Sequence, residues 1–402
     1  MYDAIIVGAR CAGAATAMLL ARAGHRVLIV DRATFPSDMR QSNHLLWPPG
    51  VEALSRWGLL DELVATGVPP IRTGRMDVGP FAITGGFPPS GTVREAYAPR
   101  RRILDGLLVE AATRAGAELW EGCSVDELLT DDSAGPVEDG PRVRGVRGRG
   151  PRGRTFRATA PIVVGADGMR SVVARTVGAP TYLERPATLG TTFTYWSGVP
   201  TPVTTLYPRP HRSVVAFPTH DDLTVVSVNQ TLDDYRAAGT DRPAAYFRTI
   251  AEVAPDLAEQ LHAGRREERW TGSVVPGFLR RPYGPGWALV GDAGYLKDPC
   301  TAQGMTDAFH HAEMLAEALD TTFRGHQPIG DALAAYERRR NDAVLPMYEF
   351  TCDRARLAPP TPAMQQFFAG LRDDPVQTER FFGVFAGTVP VAELFGTSAS
   401  AA

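Results

Sequence analysis

Lysine is almost missing from this sequence: of its 42 basic residues only Lys297 is not arginine. Codon bias in a GC-rich genome accounts for the preference, and it leaves one ammonium group whose position carries information. Cysteine is scarce as well. Cys11, Cys123, Cys300 and Cys352 show neither CxxC spacing nor a histidine cluster, so no zinc site or disulfide framework is signalled. Reduced thiols in a cytoplasmic protein are the expectation. No stretch approaches the ~20 uninterrupted apolar residues of a spanning helix, so no integral membrane segment is expected. A net charge of −3 offers no electrostatic reason for nucleic acid or an anionic membrane as partner, and a small molecule fits better.

What is present is ordinary globular composition, 44% hydrophobic and 22% charged over 402 residues, enough for two packed subdomains. After Met1, Tyr2 and Asp3 comes an apolar run at once, with no basic leader before it, so folded structure is expected from the start. Ala4 to Val7 reads as a buried parallel strand, Gly8 to Gly13 as a tight turn, Ala14 to Arg22 as a small-residue helix, and Val27 to Val30 as a second strand. That is a βαβ unit. Asp31 closes it 18 residues after Gly13, where a carboxylate accepts the hydrogen bonds of an adenosine ribose. The helix N-terminus offers N–H groups and the positive end of its dipole to a pyrophosphate. The usual G-x-G-x-x-G is altered here to Gly8-Ala9-Arg10-Cys11-Ala12-Gly13. Arg10 is expected to lay its guanidinium along the pyrophosphate in place of some close backbone contact. Alone, this loop suits NAD as well as FAD.

Two further segments narrow the choice. A strand from Pro161 to Val164 runs into Gly165-Ala166-Asp167-Gly168, and one from Trp287 to Val290 runs into Gly291-Asp292-Ala293-Gly294. Carboxylates just past parallel strands face the crevice in which doubly wound folds bind ligands. Behind Asp292 comes Lys297-Asp298-Pro299-Cys300-Thr301-Ala302-Gln303-Gly304, and then apolar residues at helical spacing: Met305, Ala308, Phe309, Ala312 and Leu315.

In order and spacing this set resembles the flavoprotein monooxygenases of the p-hydroxybenzoate hydroxylase superfamily, to which geranylgeranyl reductases and flavin halogenases are related. The resemblance covers roughly residues 1 to 345. It implies an α/β fold with a discontinuous Rossmann-like FAD-binding domain (1–71, 98–181 and 276–345), an inserted mainly β substrate domain (72–97 and 182–275) and a C-terminal helical segment (346–402). It also implies FAD and NAD(P)H as cofactors, with O2 used to hydroxylate or epoxidise a small aromatic or polycyclic substrate through a flavin hydroperoxide, in a monomer or homodimer.

Carried over residue by residue, Asp292 binds the ribityl chain, and Asp167 serves FAD and the pyridine nucleotide. Gly8, Arg10, Cys11, Ala12, Gly13, Asp31, Arg32, Arg40 and Gly291 complete the cofactor candidates on the nucleotide side. Pro299, Ala302, Gln303, Gly304 and Met305 are the candidates beside the flavin ring, although the family has Gly-Gln-Gly and then Asn there. An arginine before a helix is matched by Arg101, with Arg100 and Arg102 competing. Lys297 and His44 are the catalytic candidates, Lys297 with a pairing to Asp298 as the plainer alternative.

A reductase or dehydrogenase of the geranylgeranyl-reductase type, working without O2, is the rival reading. The W-x-W-x-I-P segment of the halogenases is not found. Short β-branched and aromatic runs (191–196, 213–217 and 223–228) predict a sheet roofing the flavin, with Tyr195, Trp196 and His220 as candidate walls. The arginine-rich stretch 130–157 reads as a solvated hairpin, and Thr397 to Ala402 as disordered. Aromatic residues beyond Asp342 predict helices packed back on the body, chiefly as core.

Overall fold

The computed structural model describes residues 1–131 and 141–396, so the expectation for Thr397 to Ala402 lies outside the described residues. At its base is a six-stranded sheet in the order Tyr283–Gly284, Trp287–Leu289, Ile162–Gly165, Ala4–Val7, Val27–Val30, Glu118–Trp120. All neighbours are parallel except the first pair. Ala4 stands between Ile162 and Val27, which fixes the register of the central strands.

Strand alternation then divides two cores. Ala4, Ile6, Val27, Ile29, Ile162 and Val164 face the helices Cys11–Arg22, Arg101–Arg114 and Gly304–Phe323. Ile5, Val7, Leu28, Val30 and Val163 face an antiparallel sheet of Ser124–Asp131, Arg142–Arg149 and Thr155–Thr159. The arginine-rich stretch therefore enters a three-stranded sheet rather than a simple hairpin, and Arg147 and Arg149 pair with Glu127 and Asp126.

The roof is a second, eight-stranded sheet that unites Thr73–Asp77 and Ala82–Gly86 with strands from 189 to 274. The seam is a parallel pairing of Thr73–Asp77 with Thr204–Arg209. Its outer face is covered by the helices Arg242–Val253 and Pro255–Ala263, which a strand-rich reading of 182–275 leaves out. Their signal was in the sequence, since Tyr246, Ile250, Val253 and Leu257 recur at helical spacing.

The inner face meets the loop at 45–47 and the C-terminal helices Pro362–Leu371 and Pro375–Ala386. A continuous helix, Ile329–Arg354, crosses the boundary expected at 345/346.

Candidate active site

Two glycines close the first turn. Gly8 has φ +103°, and a Cβ there would lie 2.5 Å from the Ala166 carbonyl oxygen. A Cβ on Gly13 would run into the carbonyl of Gly8. No side chain fits at either place, so the first motif is pressed against the segment that carries Asp167. The third motif joins them: Gly291 has φ +59°, and its added Cβ would be 2.8 Å from that of Ala12.

Between the glycines, Arg10 is the N-cap residue of Cys11–Arg22 in an extended conformation, with no side-chain cap. The N–H groups of Cys11, Ala12 and Gly13 thus have no partner in the helix, and its first turn holds no acidic residue. The positive dipole end is left for an anion. Asp31 accepts hydrogen bonds from the N–H of Ala9 and of Ala33, both at 2.7 Å. Two oxygens so engaged keep lone pairs for a ribose hydroxyl.

Arg10 and Arg101 converge on Asp105, which sequence reasoning missed. Arg10 Nη1 is 2.5 Å from Asp105 Oδ2, and Arg101 makes a fork of contacts at 2.9 to 3.1 Å. Cys11 Sγ adds a contact at 3.4 Å to the same carboxylate. Arg10 also reaches Ser37 and the Asp38 carbonyl. The signal for Asp105 was its position four residues after Arg101, one helical turn on.

Of the three competing arginines, Arg101 is the one buried in this crevice. Arg100 instead lies 4.4 Å over the Tyr195 ring and binds Glu268 at 2.8 Å, whereas Arg102 is exposed. Arg32 and Arg40 are exposed too, their guanidinium groups bonded to no described residue.

Ser171 caps the short helix Val172–Thr176, and Asp167 supports the cap, taking a bond of 2.5 Å from the Ser171 hydroxyl and one of 2.6 Å from the Val172 N–H. Burial raises its carboxyl above the usual range despite these donors. Asp292 opens onto the crevice as an exposed residue while protein surrounds its base. That desolvation raises its carboxyl, and Arg101 pulls it back.

The loop after Asp292 is tied from three sides. Trp47 Nε1 donates to the Thr301 carbonyl at 2.9 Å, Thr301 bonds Thr351 at 2.9 Å, and Gln303 donates to the Phe385 carbonyl at 2.6 Å. Asp298 caps the turn Pro299–Thr301 through the Cys300 N–H. Lys297 therefore pairs not with Asp298 but with Asp307, and donates to the Tyr295 hydroxyl at 3.0 Å. Ala302 is held left-handed at φ +55°. Gly304 is exposed and Met305 buried in the uncapped first turn of the following helix.

His44 sits at φ +56° and is turned inward, bonding Tyr195 and the Ala98 carbonyl. Burial holds its imidazole well below the ordinary pKa, with the charges of Arg100 and Arg101 acting the same way.

Beneath the inner face of the roof lies a pocket open to solvent and lined mainly by apolar and aromatic side chains with a few polar ones, the make-up of a small-molecule site. Pro299 to Ala302 form one wall, Asn43, Leu45 and Trp47 another, and Phe382 and Phe385 a third. The C-terminal aromatics thus do more than fill a core. Trp196 does not reach the cavity: it packs on the opposite face and donates to Tyr246. His220 bonds Thr66 and the Arg100 N–H.

A family model described as "FAD binding domain" matches residues 1–351. Kynurenine 3-monooxygenase of Salinispora arenicola is 29% identical over 370 residues, covering 84% of this chain and 75% of that one. A digeranylgeranylglycerophospholipid reductase of Methanocella arvoryzae is 25% identical, covering 85% and 83%. PqsL of P. aeruginosa in complex with 2-aminobenzoylacetate superposes with TM-score 0.76 at 24% identity, covering 92% of this chain and 99% of that one. The flavin-dependent brominase Bmp2 does so with TM-score 0.82 at 18%, covering 98% and 95%. The last two likenesses speak for the fold. The uncapped helix beside Asp31, the crevice carboxylate Asp292 and the buried Arg101 suit a dinucleotide with a flavin at its end. The chain belongs to the FAD-binding-domain family and is an FAD-dependent oxidoreductase.

Proposed function

We propose that this chain is a monooxygenase that uses NAD(P)H and O2 to hydroxylate or epoxidise a small aromatic or polycyclic substrate. The observation that carries the reading is the roofed cavity, walled by the Pro299 to Ala302 loop and by Trp47, Phe382 and Phe385. An oxygen-transfer reaction needs the substrate held beside the cofactor with water kept out. Bound FAD supplies the redox chemistry.

In this reading the first turn at Cys11 to Gly13 and Arg10 hold the pyrophosphate, Asp31 the ribose and Asp292 the ribityl chain. The first turn of Gly304–Phe323 stabilises negative charge on the reduced ring. The inner face of the roof orients the substrate. The kynurenine 3-monooxygenase relatives support this assignment. Four free cysteines suit a cytoplasmic location.

Anaerobic bleaching by NADH or NADPH, followed by substrate-dependent O2 uptake and a product one oxygen heavier, is the expected behaviour. The reductase relatives favour a second reading, hydride transfer to a carbon–carbon double bond. Turnover that proceeds without air would replace the first reading by the second.

A further inference from the structure

The roof sheet presents polar side chains to the cavity at inward positions where apolar ones would be expected. Asn229 is fixed there: its Oδ1 accepts from Thr191 at 2.8 Å and its Nδ2 donates to Ser213 at 3.1 Å. One N–H and one lone pair of that amide remain. Ser227, two residues back on the same strand and only 2% exposed, lines the cavity, and so does Thr204 at 9%. Neither hydroxyl has a hydrogen-bond partner among the described residues. Unpaired within the described chain and open to the cavity, these hydroxyls are free to bond a ligand, and an entering group that covered them without a partner would be penalised.

Charge is missing from the same surface. Among the described residues Arg75 is the one charged residue at the cavity wall. Strand alternation sets its side chain opposite to those of its neighbours Gly74 and Met76, and Met76 belongs to the inner core. Its guanidinium lies 5.8 Å over the Tyr207 ring and binds Asp77 at 3.0 Å, on the outer face. No described cation therefore points into the cavity. A carboxylate placed there would lose its hydration with nothing to pair it.

We propose that this cavity selects an uncharged ring substrate bearing a hydroxyl or carbonyl oxygen, that Ser227, Thr204 and Asn229 offer separate anchors for such oxygens along the roof, and that carboxylate-bearing analogues are rejected. The proposal rests on the reading of this cavity as the substrate site. Hydroxyls both donate and accept, so phenols and ketones are equally matched. The aromatic walls Trp47, Phe217, Phe382 and Phe385 hold the ring.

The test is equilibrium binding to the FAD-loaded protein by calorimetry at neutral pH, with 2-naphthol and 2-naphthoate as probes of equal ring size. Naphthol is expected to bind at least about tenfold tighter than naphthoate. Ser227→Ala with Thr204→Val should weaken naphthol about three- to tenfold while FAD content and melting temperature hold. Equal or tighter binding of naphthoate, no binding of either probe, or an unaltered naphthol affinity in the double variant would overturn the proposal. Should the double variant lose FAD, the single Ser227→Ala is read by the same criterion.

Neither reductant nor O2 enters this measurement. A protein that prefers naphthol but never oxygenates a substrate loses the monooxygenase reading and keeps this one. A protein that oxygenates carboxylates loses this one alone.

Discussion

The Tyr195 hydroxyl lies 2.8 Å from Nε2 of His44, whose Nδ1 lies 3.1 Å from the Ala98 carbonyl oxygen. A carbonyl only accepts, so Nδ1 carries the proton and Nε2 accepts from tyrosine. The bond joins the loop after the second strand to the roof sheet, and burial keeps the imidazole neutral, so the tyrosine is its donor. Tyr195→Phe leaves Nε2 unpaired in a buried site and should cost about 1–3 kcal/mol. Chemical denaturation of the FAD-loaded protein measures it. An unchanged midpoint would mean that the two elements are held together by other contacts.

Acid should destabilise the protein through the same group. His44 and His311 are both buried and held neutral, their pKa values well below 6.5 because burial penalises the imidazolium. Below pH 6.5 the unfolded chain takes up protons that the folded one refuses, so stability falls as pH falls, by about 1.4 kcal/mol per pH unit for each group. The loss ends only where the folded pKa is reached. Both His311 ring nitrogens lack a partner among the described residues. His311→Phe should therefore hold or raise the melting temperature at neutral pH and flatten its decline between neutrality and pH 5. A steeper decline would contradict the neutral assignment.

Asp105 is fully buried between Arg10 and Arg101. Asp105→Asn removes the one negative charge they share, and breaking such a buried pairing costs about 3–5 kcal/mol. FAD retention on dialysis should drop with it. Arg10→Ala is the gentler variant, because Arg101 still satisfies the carboxylate. It should reduce FAD retention with a smaller loss of stability. Full retention in Arg10→Ala would remove Arg10 from the cofactor's surroundings and leave it as a brace for Asp105.

The turn at Gly8 to Gly13 and its link to Asp31 were legible because their demands are local. Gly8 and Gly13 must be glycine for steric reasons, Asp31 must end a strand, and each requirement sits inside a short motif. The cavity was not legible, for the opposite reason. Ser227 and Thr204 lie on strands that are not neighbours in the sheet, with Arg212–Pro218 between them, and that both line one cavity depends on the register of three strands. Phe385 arrives from a helix whose aromatic spacing reads equally well as core. The partner of Lys297 lies ten residues on, across a turn that Asp298 itself caps. Spacing alone left Asp298 as the nearer choice.

That last pair permits a decisive experiment on the sole lysine. Lys297 is almost completely buried, and its ammonium is already bonded to Asp307 and the Tyr295 hydroxyl. Lys297→Met strands the Asp307 carboxylate and should cost about 3–5 kcal/mol, whereas Lys297→Met with Asp307→Leu removes both charges and should recover most of it. If the pair only braces the loop between Asp292 and the helix Gly304–Phe323, the rate of anaerobic bleaching returns with the stability. That is the expected result, because an ammonium neutralised by its partner exerts little net field at the cofactor. A double variant with restored stability but slow bleaching would instead give the Lys297 charge a part in the chemistry.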